Sequence, residues 1–438
     1  MSTTATPATD KRGTALINHW QGGVPVNHGK IFTPVMIFLL GVSTLGLGLA
    51  LVRFVSPLGP FSAMNSVYAW GVWKTFNVMT LTALGSGPLA LGMAAWVFNR
   101  HILHAVMRTA LVSGFLLYAT GLVSLGFDVG RPWNFYSAAM PWRWNTESAM
   151  LEISICMPVY CALFLSFEIL PMILERIYYR GSEKVHVLLR RISPGLRKAY
   201  PFMIIGAYVV PLMHQSSLGG LLLLAGTKID PLWQSPVMPL LYLIAAFLCG
   251  LSFTIFLLLA VCLRYSRPLS SEILAELANL LTIICFLFLA VRLADLVWRS
   301  QLQAAFRFNS MSWLFLIGTS LILIPAIMLR FKRIRETPRT LLNMSALACL
   351  GGMWYRFVPT TIAYRPAHST GYFPSALEVL IAIGYMAVTI SAFVFAINYF
   401  AVLPGEADSW DHTFRPFSWK PKAIERSVVP KVALKGGA

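Results

Sequence analysis

Residues 236–263 read PVMPLLYLIAAFLCGLSFTIFLLLAVCL, with no acidic or basic side chain anywhere in the run. As a helix rising ~1.5 Å per residue, this stretch exceeds the ~30 Å thickness of a bilayer's hydrocarbon core. A barrel strand needs only about ten residues and alternates apolar with polar, and this stretch does neither. It is a membrane helix, and the rest of the chain repeats it. Working outward, comparable stretches occupy 31–53, 67–98, 105–127, 148–174, 200–225, 273–298, 312–329, 341–362 and 375–402. The expected fold is therefore an all-α integral membrane protein of about ten transmembrane helices. A polytopic domain over 31–402 lies between polar tails at 1–30 and 403–438.

Composition supports this reading. The 438 residues are 57% hydrophobic and only 12% charged, about half the charge of a soluble domain. The excess of Lys and Arg, 35 against 17 acids, is a topological signal, because the basic residues cluster in alternate loops. With the N-terminus inside, 25 fall on the inner side, 7 on the outer side, and Lys74, Arg292 and Arg356 lie within helices. The positive-inside rule then puts both termini in the cytoplasm. Seven of the basic residues sit in 175–199, where they suit topology and contact with anionic membrane lipids better than nucleic acid. The first thirty residues lack the layout of a cleavable signal peptide. The six cysteines are scattered through helices without a CxxC pair, so neither a disulfide framework nor an iron–sulfur cluster is expected in this chain.

Ionisable groups are costly in a bilayer, so each one needs a reason. Counted along the helices, Lys74, Glu152, His214, Asp295 and Arg356 all fall toward the outer face, while Glu168 and Glu276 fall in the inner half. Structural alternatives exist for each. Arg292 and Asp295, three apart, can neutralise one another, and Lys74 and Arg356 can extend toward the interface. Convergence on one leaflet points instead to a polar-headed ligand or a protonation site. The most specific local cluster is Pro211-Leu-Met-His-Gln-Ser-Ser217, followed by Gly219-Gly220. Of eight histidines only His214 lies well inside a helix. Bis-histidine haem ligation needs two facing ligands, so no haem is expected.

Gly71-Val-Trp73, Phe127-Asp-Val-Gly-Arg131 with Trp133-Asn134, His214-Gln-Ser-Ser217 and Asp230-Pro-Leu-Trp-Gln-Ser235 together resemble the NrfD/polysulfide-reductase family of quinone-interacting membrane subunits. Within that family the chain looks most like the membrane subunits of hydrogenase-2-type nickel–iron hydrogenases, and the likeness runs from about residue 30 to 402. It implies NrfD-like helical bundles and menaquinone or ubiquinone bound near the outer face. The implied partners are a periplasmic ferredoxin-like iron–sulfur subunit and the hydrogenase small and large subunits; a proton route is implied as well. By resemblance Glu152 is the acid of quinone and proton chemistry, with His214 second. Lys74, Asn77, Asp128, Gln215, Ser216, Arg292 and Asp295 become candidate quinone contacts, and Glu152 and Glu168 a candidate proton path. The chain departs from its hydrogenase relatives in having Asn77 in place of an aspartate and Lys74 in place of an apolar residue. Two rival readings remain. One is a secondary transporter, suited by interruptions such as Gly85-Ser-Gly-Pro88. The other is the equivalent quinone subunit of a sulfur, formate or cytochrome-linked oxidoreductase.

Overall fold

The computed structural model describes residues 31–404 except 57, 66, 69–70, 129–131, 147, 266, 268 and 367–371. The placement of the two tails, and with it the cytoplasmic location of the termini, falls outside these residues. Ten long helical segments are present among them. They are α1 (Pro34–Val55), α2 (Val72–Val97, in several joined pieces), α3 (His104–Asp128), α4 (Ala149–Val159, Tyr160–Leu165 and Ser166–Arg180 end to end) and α5 (Glu183–Leu223). Then follow α6 (Met238–Arg264), α7 (Ser271–Trp298), α8 (Ser310–Met328), α9 (Pro338–Phe357) and α10 (Ala376–Tyr399). Among the described residues, pairing between extended segments is confined to one isolated bridge, Ile229 with Tyr364.

Eight of the ten are long and apolar enough to cross a membrane; α5 and α9 are the two more polar ones. α5 packs against α4 and α6, and α9 against α6 and α8. Local chemistry sets the starts. Thr33, Ser270 and Asn309 each accept a hydrogen bond from a backbone N–H of the first turn they cap. Ser375 and Glu378 form a reciprocal capping box at α10, satisfying donors that the helix itself leaves free.

Two expected boundaries move. The second span begins at Val72, not 67. The hydrophilic stretch 175–199 is helical, since α4 runs to Arg180 and α5 starts at Glu183. Charge marks where a helix leaves the apolar layer; it does not end the helix, and Leu188, Leu189 and Ile192 among the basic residues are compatible with helix.

The bundle is organised around α2 and α6. The most apolar stretch of α2 is 94% buried, against 22% for α1. Close approach explains this. A Cβ built on Gly250 of α6 would collide with the backbone of Ser86 and Gly87, and Gly46 and Gly384 meet backbone to backbone where α1 packs on α10. Small residues let helices touch where lipid-like interiors supply no hydrophobic drive. Accordingly, Gly250→Leu should destabilise the folded protein by about 1–3 kcal/mol through overpacking. Gly41→Leu, where a side chain meets nothing within 4 Å, should leave it unchanged or slightly more stable. Thermal unfolding of both variants in detergent, followed by exposure of the buried cysteines, checks the contrast.

Candidate functional site: polar layers inside the helical bundle

One polar layer is built on the first turns of α2. Gly71 is required there, because a Cβ would strike Glu378 Oε1 and Met64. The Val72 N–H donates to Tyr372 Oη (2.7 Å), and Tyr372 Oη in turn donates to Glu378 Oε2 (2.7 Å). Trp73 is fully buried, and among the described residues its Nε1–H has no acceptor. One turn on, Asn77 Nδ2 donates to Ser124 Oγ of α3 (2.8 Å), while Asn77 Oδ1 is buried without a partner. These positions lie in a π-helical stretch, Thr75–Thr80, a widened turn frequent at functional sites. Lys74 and Glu152 are half-buried, and neither makes a hydrogen bond or ion pair to a described residue. Asp128 ends α3; its side chain lies outside the described residues.

Beside this layer opens a cleft of about 800 Å³ between α3, the turns at 132–145 and α4. Leu122, Leu151 and Pro158 form apolar walls, and Asn134, Ser137 and Arg143 add polar groups. Glu152 follows Leu151 in sequence but is not part of the lining.

His214 belongs to a second layer, beside Tyr118 of α3. Its ring lies 5.8 Å from that of Tyr118, in the middle of α3. Gln215 Nε2 donates to Tyr118 Oη (2.9 Å), and Ser86, at the break in α2, stands 3.5 Å from the same oxygen. His214 and Gln215 are fully buried, and among the described residues neither imidazole nitrogen nor Gln215 Oε1 has a partner. Ser216, expected to face a ligand, donates to the Met213 carbonyl of its own helix (2.9 Å). Arg356, fully buried, donates to the carbonyls of Met79 (2.9 Å) and Tyr242 and lies over the Tyr242 ring. It joins the π-helical turn of α2 to α6.

Glu168 occupies the third layer, in a cavity of about 80 Å³ shared with Tyr160, Tyr200, Tyr208 and His104. Tyr160 meets Tyr118 edge-on at 4.7 Å, so tyrosine rings connect this cavity to the His214 layer.

One expectation is corrected by the geometry. Asp295 does not neutralise Arg292. It binds Arg299 through two contacts (2.6 and 3.0 Å) and accepts from Ser235 Oγ (2.6 Å). Arg299 also donates to the Pro231 carbonyl (2.8 Å). Asp230-Pro-Leu-Trp-Gln-Ser235 is thus the loop half of a clasp onto the end of α7, with Asp230 Oδ1 accepting from the Leu232 N–H (3.0 Å). Arg292 sits instead over the rings of Phe315 (4.4 Å) and Tyr355 (4.6 Å), an aromatic cage that holds a cation without an acid. Glu276 pairs with Arg100 (3.4 Å).

Sequence reasoning left Tyr118, Tyr160, Tyr200 and Tyr208 unassigned. The available signal was position: a phenol in the middle of an apolar span needs a partner for its hydroxyl.

The whole is a polytopic helical bundle with polar groups graded in depth, the architecture of a membrane subunit and not of a soluble enzyme. The family pattern described as "Polysulphide reductase, NrfD" matches residues 61–363, and the chain belongs to the NrfD family. It is 34% identical over 382 residues to the "Probable Ni/Fe-hydrogenase 2 b-type cytochrome subunit" of Escherichia coli (strain K12), covering 86% of this chain and 94% of that protein. It is 26% identical over 375 residues to the "Menaquinone reductase, integral membrane subunit" of Nitratidesulfovibrio vulgaris, covering 79% and 86%. A third relative is a selenate reductase subunit of Mesobacillus selenatarsenatis, 21% identical over 416 residues, covering 84% and 93%.

The clasp yields a direct test. Asp295→Ala strands Arg299 at a site where the acid's side chain is 2% exposed and the arginine's 16%, and should cost about 3 kcal/mol. A double-mutant cycle by thermal unfolding should show coupling between positions 295 and 299 and almost none between 295 and 292.

Proposed function

We propose that this chain is the membrane subunit of a respiratory oxidoreductase in the bacterial inner membrane, passing electrons from a partner iron–sulfur subunit to a quinone held near the outer face. The observation that carries the reading is a set of buried polar atoms on the first turns of α2, Trp73 Nε1 and Asn77 Oδ1, that have no partner among the described residues. Beside them stand Lys74 and Glu152, which no described residue pairs. Buried polar groups are normally satisfied, so this group fits a ligand that carries both acceptors and, once reduced, donors. Menaquinone or ubiquinone answers that description: it supplies two-electron, two-proton chemistry through two ring oxygens. The apolar cleft between α3 and α4 has the volume of a small-molecule site and offers its isoprenoid tail a way in from the lipid.

In this reading Lys74 and Trp73 donate to a ring oxygen, Asn77 orients the head group through its link to Ser124, and Glu152 exchanges protons at the rim. Asp128, at the end of α3, belongs to the same rim. His214 and Gln215 are too deep for first contact with a partner's electrons. They take the place of a proton-transfer layer, continued by Tyr118, Tyr160 and Glu168 toward the inner face, so that quinone turnover is coupled to proton translocation. Arg292, Asp295 and Ser216, candidates from sequence, are structural. The partner favoured by the Escherichia coli relative is a periplasmic nickel–iron hydrogenase, with its small, large and ferredoxin-like iron–sulfur subunits. The relatives named for menaquinone and selenate reductases make other donor enzymes the second reading.

We also propose that the chain is haem-free, although one relative's name includes a b-type cytochrome. His104 is fourteen residues, or ~21 Å of helix, from Tyr118, the ring beside His214. His186 lies on the same helix as His214. Neither can face it across a porphyrin. A reduced-minus-oxidised spectrum of the purified complex should show no stoichiometric b-type band; such a band would overturn this assignment.

Glu152→Gln keeps the shape of the side chain and removes its titrating proton. Quinone-linked activity should fall by ~10²-fold, the scale of a positioned acid–base group, while dye-linked activity of the catalytic partner survives. Glu168→Gln should lose proton coupling more than quinone turnover. Full quinone-linked activity in Glu152→Gln membranes with normal assembly would return the outer belt to a structural role.

A further inference from the structure

At the opposite end of the bundle from the quinone layer, a groove of about 720 Å³ runs between α1, α3, α4 and α10. Met36, Leu40, Leu116, Ile169, Ile173 and Phe395 give it hydrocarbon walls. Ser43 and Thr44 in the wall add little polarity, because each donates to a carbonyl of its own helix, Leu39 (2.7 Å) and Leu40 (2.8 Å). Ser391 leaves one hydroxyl without a partner.

The chemistry changes at the mouth. Phe395 stacks on Tyr399 (5.5 Å, 12° between planes), and Tyr399 carries the Arg176 guanidinium 4.5 Å over its ring. Arg176 Nε is buried without a hydrogen-bond partner. The neighbouring acid is not available to it, because both Glu175 oxygens are held by Arg108 (2.7 and 2.8 Å), which also donates to the Ala401 carbonyl. Among the described residues no ion pair neutralises Arg176, and Lys184, Arg191 and Lys198 on the adjoining length of α5 are exposed, adding to the positive field.

We propose that this groove is a binding site for one anionic diacyl phospholipid, its acyl chains laid between α1, α3, α4 and α10 and its phosphate on Arg176. The two halves of the site match the two halves of that ligand: a hydrocarbon channel, then an uncompensated, planar, multi-donor cation suited to phosphate oxygens. A quinone is the competing occupant, since a ring carbonyl could accept from Ser391. It carries no charge to answer Arg176, and the guanidinium decides for the anion. The lipid would fasten the pair α1–α10 to α3 and α4.

The test uses the intact complex in phosphatidylcholine nanodiscs doped with photoactivatable phosphatidylglycerol, and in parallel with photoactivatable phosphatidylcholine. After illumination, peptides containing Ile169–Ile173 and Phe395–Phe400 should carry phosphatidylglycerol in preference to phosphatidylcholine. Arg176→Gln should reduce that capture about fivefold, the value of one basic side chain against an anionic head group, whereas Arg176→Lys should keep most of it. Ala392→Phe, which fills the groove, should abolish capture. Equal labelling by the two lipids, undiminished labelling of Arg176→Gln, or recovery of endogenous quinone from these peptides would each overturn the proposal. If Ala392→Phe fails to assemble, the two Arg176 variants, placed at the mouth, still decide it.

Discussion

The structure depends on keeping α2 out of lipid. A bilayer interior cannot hydrogen-bond a loose carbonyl or hydroxyl, so an irregular helix there must be wrapped by protein. α2 contains two π-helical stretches and a break at Gly85-Ser86, and it is the most deeply covered of the long helices. Its coverage explains the features that surround it. Gly250 and Gly87 let α6 lie against it. Arg356 crosses from α9 to bond the carbonyl of Met79. Tyr118 brings α3 to the break. The irregularity that makes α2 expensive also turns its polar atoms sideways, into the space between helices, where a ligand or a proton can use them.

Around that axis, the ionisable groups divide into distinct roles. Asp295, Arg299 and Ser235 fasten a loop to a helix end, and Arg108 with Glu175 fastens α3 to α4 at the other end. These pairs are closed, with each charge answered. Lys74, Glu152, His214 and Arg176 are open among the described residues, and the open groups define the proposed quinone rim, the proton layer and the lipid mouth. Arg292 and Arg356 join the scaffold without an acid, the first held over aromatic rings and the second by the carbonyls of Met79 and Tyr242.

Much of this was legible in the sequence. The run at 236–263 declares a membrane helix without reference to anything else, and its repetition declares a polytopic bundle. The motifs named the right regions: Gly71-Val-Trp73 proves to be a close-packed start of α2 locked to Glu378, and Asp230–Ser235 a clasp. What sequence could not resolve was partner choice. Arg292 and Asp295 are one turn apart, yet Asp295 prefers Arg299, four residues on and anchored by Pro231, while aromatic rings contributed by α8 and α9 enclose Arg292. Those rings come from distant parts of the chain, and helical spacing carries no information about them. The surroundings of His214 were equally hidden, because the Tyr118 ring beside it comes from a different helix. Tyrosines in apolar spans read as bulk until their hydroxyls are seen in a row.

The central claim is that quinone binds at the outer turns of α2, α3 and α4. Photolabelling of the assembled complex with an azido-quinone, followed by peptide mapping, tests it most directly. Label is predicted on residues around Lys74–Asn77, Ser124 and Leu151–Glu152, displaced by excess unlabelled quinone. Displaceable label confined to the groove lined by Ile169–Ile173 and Phe395, or absent from the chain altogether, would contradict it.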